Sequence, residues 1–195
     1  MKFILGSSNS KKVKELNGLI SGVEVVPPIQ KLDIEETGPT FSENSYLKAK
    51  GYADYFNAPA CADDSGLVIE KCPEILGVKS ARFAPEHDDN GKCVEVLKYL
   101  ADKGIEKAEA YFICVLCFYI SEEEIYFFEG RCDGYIHTEL LAKDQGFGYD
   151  PIFIPKHLGE VKSFSQVPEW KMSNSHRAKA CFQAKRFFDQ YCQNI

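Results

Sequence analysis

Four groups of residues in this chain have types and spacings that could do chemistry. Ser7 to Lys12, the run SSNSKK, combines small hydroxyl and amide side chains with two lysines. Lying between a strand and a helix, such a loop offers free backbone amides and a helix dipole to a phosphate. It lacks the GKS or GKT ending of a P-loop and the G-x-G-x-x-G of a dinucleotide fold. Glu43, Asp63 and Asp64 are carboxylates of the kind that hold magnesium on nucleotide phosphates, where one or two protein oxygens suffice and water fills the remaining positions. In an extended segment neighbouring side chains point to opposite sides, so Asp63 and Asp64 are not expected to chelate as a pair. In GFGYDP, Gly146 and Gly148 flank Phe147, an aromatic that can be presented flat to a base, with Asp150 as an acceptor three residues on. In KMSNSHRAKA, Lys171, His176 and Arg177 bring donors to the opening of the last helix, suited to phosphate or to an oxygen-bearing base edge.

Each group also has a plainer reading. Ser10 can simply cap a helix, Thr40 and Glu43 have capping-box spacing, DDSG can be a tight turn, and Phe147 and Tyr149 can close a core. Cys114 and Cys117 have C-x-x-C spacing but lie in an apolar run with no second pair, which argues for packing rather than metal.

The elements that must position these groups read as mixed α/β. KFIL is a strand, followed after the polar loop by a helix carrying Val13, Leu16, Leu19 and Ile20 up to Gly22. Thr40 opens a helix over about 41–56, and PACADDSGLVIE reads as two short strands around a DDSG turn. Cys93, Val96, Leu97 and Leu100 mark a helix stopped at Gly104. EAYFICVLCFYI and IYFFEGRCDGYI, joined by SEEE, form a long antiparallel hairpin, and a final helix runs from about His176 to Cys192.

Composition sets limits on partners. The 195 residues, 45% hydrophobic, can bury one good core, and with no repeat or linker the whole chain, 1–195, is taken as one domain. A net charge of −6 argues against nucleic acid or an anionic membrane as partner, while a small anion remains compatible. The opening MKFILGSSNSKK is too short in its apolar part for a secretory signal and no later run reaches membrane-span length, so a cytoplasmic protein is expected. Eight cysteines scattered through core-like segments are expected to be reduced thiols.

Taken in order, SSNSKKVKEL, TGPTFSENSYLKAK, ADDSGL, GVKSARFA, GFGYDPIFIP and SFSQVPEWKMSNSHRAKA resemble the ITP/XTP pyrophosphatase family over nearly the whole chain. The resemblance implies an elongated mixed β-sheet with two lobes and flanking helices, a nucleotide in the cleft between the lobes, and a homodimer. It implies magnesium-dependent hydrolysis of ITP, dITP and XTP to the monophosphate and pyrophosphate. In this reading Ser7, Ser8, Asn9, Ser10, Lys11 and Lys12 hold the triphosphate. Glu43 and Asp64 bind Mg2+, Asp64 is the catalytic carboxylate with Ser65 beside it, and Asp63 supports the metal site. Phe147 stacks on the base, Gly148, Tyr149 and Asp150 complete its pocket, and Lys171, His176 and Arg177 contact phosphate or base. Two segments depart from the family pattern: Ser8 stands where glycine is common, and LLAKDQ precedes GFGYDP where a proline-arginine-glycine run is frequent. The alternatives are a pyrophosphatase of related fold for pyrimidine or modified nucleotides, which should lack GFGYDP and SHR, and a non-catalytic nucleotide sensor, which should lack Asp64 or Glu43.

Overall fold

The structure, a computed structural model, describes residues 1–7 and 10–191, and does not describe the side chains of 10–12, 14 and 15. One six-stranded mixed sheet, in the order β2-β1-β3-β4-β5-β6, carries the chain. β1 (Lys2–Leu5), α1 (Ser10–Leu19) and β2 (Glu24–Val26) form a parallel crossover unit; α2 (Phe41–Phe56) then returns the chain to β3 (Ala60–Ile69), parallel to β1 on its other side. α3 (Asp89–Asp102) leads to β4 (Ala108–Ser121) and β5 (Glu124–Ile136); the antiparallel edge strand β6 (Phe153–Pro155) precedes α4 (Pro168–Asn174) and α5 (His176–Tyr191). This is the mixed sheet with flanking helices that the sequence led us to expect.

By contacts the chain divides into two compact units, Met1–Asp64 with Cys114–Gly130 and the segment from Arg177, and Ser65–Ile113 with Arg131–His176. In the first, helices cover both faces of the strands. Phe3, Leu5, Cys61, Leu116 and Phe118 pack with Leu16 of α1 and Ala180, Ala184 and Phe188 of α5, while Ala60, Ala62, Cys117 and Tyr119 pack with Ala49, Tyr52 and Ala53 of α2. Double coverage is why these strands read as continuous apolar runs. In the second unit Ala108, Ala110 and Phe112 of β4 bury against Val96 and Leu100 of α3. The alternate residues Tyr111 of β4 and Arg131 of β5 remain partly exposed, the guanidinium 3.5 Å from the ring centre.

Two expectations are corrected. PACADDSGLVIE is not a pair of strands around a turn but one strand, β3, of 10 residues. A turn there would strand two aspartates in the core, whereas the extended chain delivers each to a cation, as described below. The hairpin loop is two residues, Glu122 and Glu123, because Ser121 and Glu124 already belong to the strands. The seven described cysteines are buried, and Cys114 and Cys117 pack in the core of the first unit.

Candidate active site

In the first unit the alternation of β3 separates its aspartates. Asp63 shares parity with Cys61, on the side of α5, and Asp64 with Ala60 and Ala62, on the side of α2. Asp63 Oδ2 accepts from Arg177 Nη2 at 3.0 Å, with the side chains 1% and 4% exposed. Asp64 Oδ1 accepts from Lys48 Nζ at 3.2 Å, and the same ammonium lies 2.7 Å from Glu36 Oε1. The other oxygen of Asp64, Oδ2, is buried and accepts no hydrogen bond from a described residue.

α2 sets this cluster in place. Thr40 caps it in extended conformation, accepting from the Glu43 amide at 3.2 Å and donating its hydroxyl to Glu43 Oε2 at 2.6 Å. The carboxylate of Glu43 is thus exposed and engaged with its own cap. Asn44, wholly buried, accepts from the Gly38 amide at 2.8 Å. A side chain at position 38 would press 2.6 Å from Glu43 Cβ, so the turn into the helix requires glycine. One helical turn beyond Asn44, Lys48 reaches the two carboxylates.

The electrostatics follow from burial. Desolvation pushes the Asp64 carboxyl above the usual range, Lys48 pulls it part of the way back, and Glu36 adds to the rise. For Lys48, burial works against the charged form, but Asp64, Asp63 and Glu36 together outweigh it and hold the ammonium above its ordinary value. A polar cavity of about 230 Å³ is lined by Ser7, Lys31, Asp33, Glu36, Lys48 and Asp63 among others. It joins the start of the SSNSKK loop to the acid cluster. Of that loop, Ser8 and Asn9 lie outside the described residues, as do the side chains of Ser10, Lys11 and Lys12, whose backbone opens α1.

In the second unit the GFGYDP loop is fixed around Asp150. Asp150 is buried, and its Oδ2 accepts from the Phe147 amide at 3.1 Å and from Lys171 Nζ at 2.5 Å. Gly146 and Gly148 both have positive φ, 80° and 59°. A side chain on Gly146 would also meet Ser165 Oγ at 2.7 Å, and the Gly148 amide donates to Asp89 Oδ2 at 2.7 Å. The result is a clamped loop from which Phe147 stands out, 56% exposed, with Lys171 Nζ 4.2 Å from its ring centre. Tyr149 turns inward instead, donating its hydroxyl to the Ser80 carbonyl at 2.7 Å, and burial raises its pKa. Ser80, from GVKSARFA, in turn donates to the Gly77 carbonyl at 2.6 Å and accepts from the Leu67 amide at 3.1 Å. His176 is buried and stacked on Phe112, centroids 4.8 Å apart at 12°. Ser65 follows Asp64 on β3 and is half-buried.

Of the residues singled out from sequence, the structure gathers Ser7, Asp63, Asp64 and Arg177 in the first unit, and Phe147, Gly148, Asp150 and Lys171 in the second. Three were missed: Glu36, Asn44 and Lys48. Asn44 and Lys48, polar and spaced i, i+4 on α2, were legible as one helix face; Glu36 sits in an extended stretch without a pattern. Among the described residues no cluster of three or more His, Cys, Asp or Glu side chains forms a complete metal cage. Glu36 and Asp64 are two hard oxygen donors on one ammonium, one with an unpartnered buried oxygen. That donor set fits a magnesium ion that takes its other ligands from phosphate and water.

The chain is similar to known proteins over nearly its whole length. The model of the Ham1 family matches residues 3–187. A curated relative from Leptospira interrogans, a dITP/XTP pyrophosphatase, is 40% identical over 191 residues, 94% of each chain. Another dITP/XTP pyrophosphatase, from Aquifex aeolicus, is 37% identical over 193 residues, 92% of this chain and 93% of that one. The solved structure of a HAM1 protein from Coxiella burnetii superposes with a TM-score of 0.88 at 32% identity, covering 97% of this chain and 99% of the other.

Proposed function

The chain belongs to the Ham1 family, and from that premise we propose that it hydrolyses dITP, ITP and XTP to the nucleoside monophosphate and pyrophosphate, cleansing the pool of non-standard purine nucleotides. The observation that carries this reading is Asp64: a carboxylate buried in the core of the fold, with one oxygen on Lys48, itself a wall of the polar cavity, and the other unpartnered. Burying a charge in this way is unfavourable and marks a site built for chemistry.

Asp64 takes the proton from a water that attacks the α-phosphorus in line, and pyrophosphate leaves. In this reading the metal carboxylates are Asp64 and Glu36, which share the Lys48 ammonium, while Glu43 is engaged through Oε2 in the cap of α2. Asp64 and Glu36 would hold a magnesium ion, which would supply charge neutralisation on the triphosphate. Ser7 to Lys12 hold the phosphates through amides and hydroxyls at the start of α1, with Ser65 beside the catalytic carboxylate. Asp63 does not bind metal in this reading; it anchors Arg177.

On the second unit Phe147 stacks on the purine, with Gly148 bringing backbone close and Asp150 fixing both Phe147 and Lys171. Tyr149 supports the loop from beneath through Ser80. Lys171, His176 and Arg177 supply donors, which suit hypoxanthine and xanthine because these carry an oxygen at C6 where adenine carries an amino group. The chain works as one catalytic domain in a cytoplasmic homodimer on free nucleotides. Its net charge of −6 disfavours polyanions, and no described helix is long and apolar enough to cross a membrane.

The test is pyrophosphate release from dITP, ITP, XTP, GTP, ATP and dTTP, with magnesium and with EDTA. Magnesium-dependent release from the inosine and xanthosine nucleotides is expected. Preference for dTTP would transfer the fold to the pyrimidine reading, and binding without turnover would make the protein a sensor.

A further inference from the structure

We propose that Lys48 stands in the place of the metal in the free protein: its ammonium occupies the position between Glu36 and Asp64, and must swing out before a divalent cation can enter. The inference rests on the function proposed above, since it concerns the same two carboxylates.

Lys48 Nζ lies 2.7 Å from Glu36 Oε1 and 3.2 Å from Asp64 Oδ1, and the side chain is only 13% exposed. It therefore links two carboxylates that would otherwise repel each other with little water to screen them. Magnesium needs those oxygens at about 2.0–2.1 Å in near-octahedral geometry. An ammonium hydrogen-bonded to both acids blocks that approach, sterically and by like charge. Lysine suits such an exchange: it is a compact point charge on a flexible four-carbon stem, able to leave a carboxylate for another anion without losing its charge. The anion is at hand in the proposed reaction. Lys48 and Ser7 line one polar cavity, and a triphosphate held at the start of α1 would offer oxygens to which the ammonium can turn. Lys48 thus holds the acids together before substrate arrives, and makes cation entry depend on the triphosphate. In linkage terms, metal and triphosphate bind with positive coupling because both favour the state in which Lys48 has moved.

The experiment is Mn2+ binding to the nucleotide-free protein, read from loss of the aqueous Mn2+ signal in electron paramagnetic resonance, for the parent, Lys48→Met, Lys48→Gln and Asp64→Asn. Circular dichroism checks that each variant is folded. The parent should bind weakly and indistinguishably from Asp64→Asn. The two Lys48 variants should bind about tenfold more tightly or better, the range of ordinary coupling free energies. Lys48 variants that bind Mn2+ no more tightly than the parent would overturn the proposal. So would a parent protein that already binds tightly and loses that binding in Asp64→Asn, a result that needs no Lys48 variant. Failure of the underlying function is separate: it appears as no magnesium-dependent pyrophosphate release from dITP by the parent.

Discussion

Arg177 and Asp63, 114 positions apart in the chain, meet at 3.0 Å where both are sealed from solvent. An arginine at a helix start, read from sequence as a contact for phosphate or base, also gives one of its guanidinium nitrogens to a carboxylate of the central strand. Breaking one side of a buried pair leaves a charge in the core, so Asp63→Asn should lower stability by about 3–5 kcal/mol. Replacing both, as Asp63→Leu with Arg177→Met, should recover a good part of that loss. Urea denaturation of the three proteins checks this; a loss in Asp63→Asn of less than about 1 kcal/mol would mean that the pair is not structural.

Asp64→Asn should keep nucleotide affinity and lower kcat by about 10²–10⁴-fold, the usual weight of a general base. Single-turnover kinetics with dITP alongside equilibrium binding separates the two quantities, and unchanged turnover would remove Asp64 from its role.

The same residue ties stability to pH. Its folded pKa lies above the ordinary value of 3.8, chiefly through burial, so the folded chain keeps a proton the unfolded chain has already lost. Its contribution to stability is complete below the unfolded pKa and is lost as pH rises through the folded one. In EDTA, the parent should match Asp64→Asn at the acid end and become less stable than the variant towards neutrality. A parent that gains on the variant as pH rises would show the shift to have the opposite sign.

Phe147→Ala should weaken dITP binding by about 1–3 kcal/mol, the measured scale of base stacking on an aromatic ring, with little change in thermal stability because the ring is 56% exposed. Titration calorimetry on the Asp64→Asn background avoids turnover; equal affinity would exclude stacking.

Ala142 lies in LLAKDQ at φ 50°, a left-handed conformation, with the Gln145 amide donating to its carbonyl at 2.9 Å. An L side chain costs about 1–2 kcal/mol there, and glycine adds about 0.5–1 kcal/mol of unfolded-state entropy. Ala142→Gly should therefore raise stability by roughly 0.5–1 kcal/mol. A lowered midpoint in denaturant would contradict this.

The sequence yielded what local pattern controls. The helix over 41–56 was legible to the residue, because Thr40 and Glu43 make a local cap that needs no tertiary contact. The strand through ADDSGL was misread for the opposite reason. Asp-Asp-Ser-Gly favours a turn locally, and only cations from elsewhere make an extended chain tolerable: Lys48, 16 residues before Asp64, and Arg177 at the far end. Glu36 was invisible because its significance is the lysine it shares with Asp64, a relation carried by no spacing in its own segment. Tyr149 was visible as an aromatic in a glycine loop, but its inward turn depends on the Ser80 carbonyl, 69 residues away.

β3 imposes a rule on length as strict as any on composition. Its side chains alternate with a period of two, and Asp63 and Asp64 answer to cations on opposite sides of the sheet. Losing or gaining one residue between Ala60 and Asp63 would exchange the two, turning Asp64 towards α5 and Asp63 towards Lys48, while every apolar neighbour beyond the change inverted with them. The strand thus behaves like a reading frame: substitutions within it are graded, whereas a single-codon insertion or deletion would scramble the message whole.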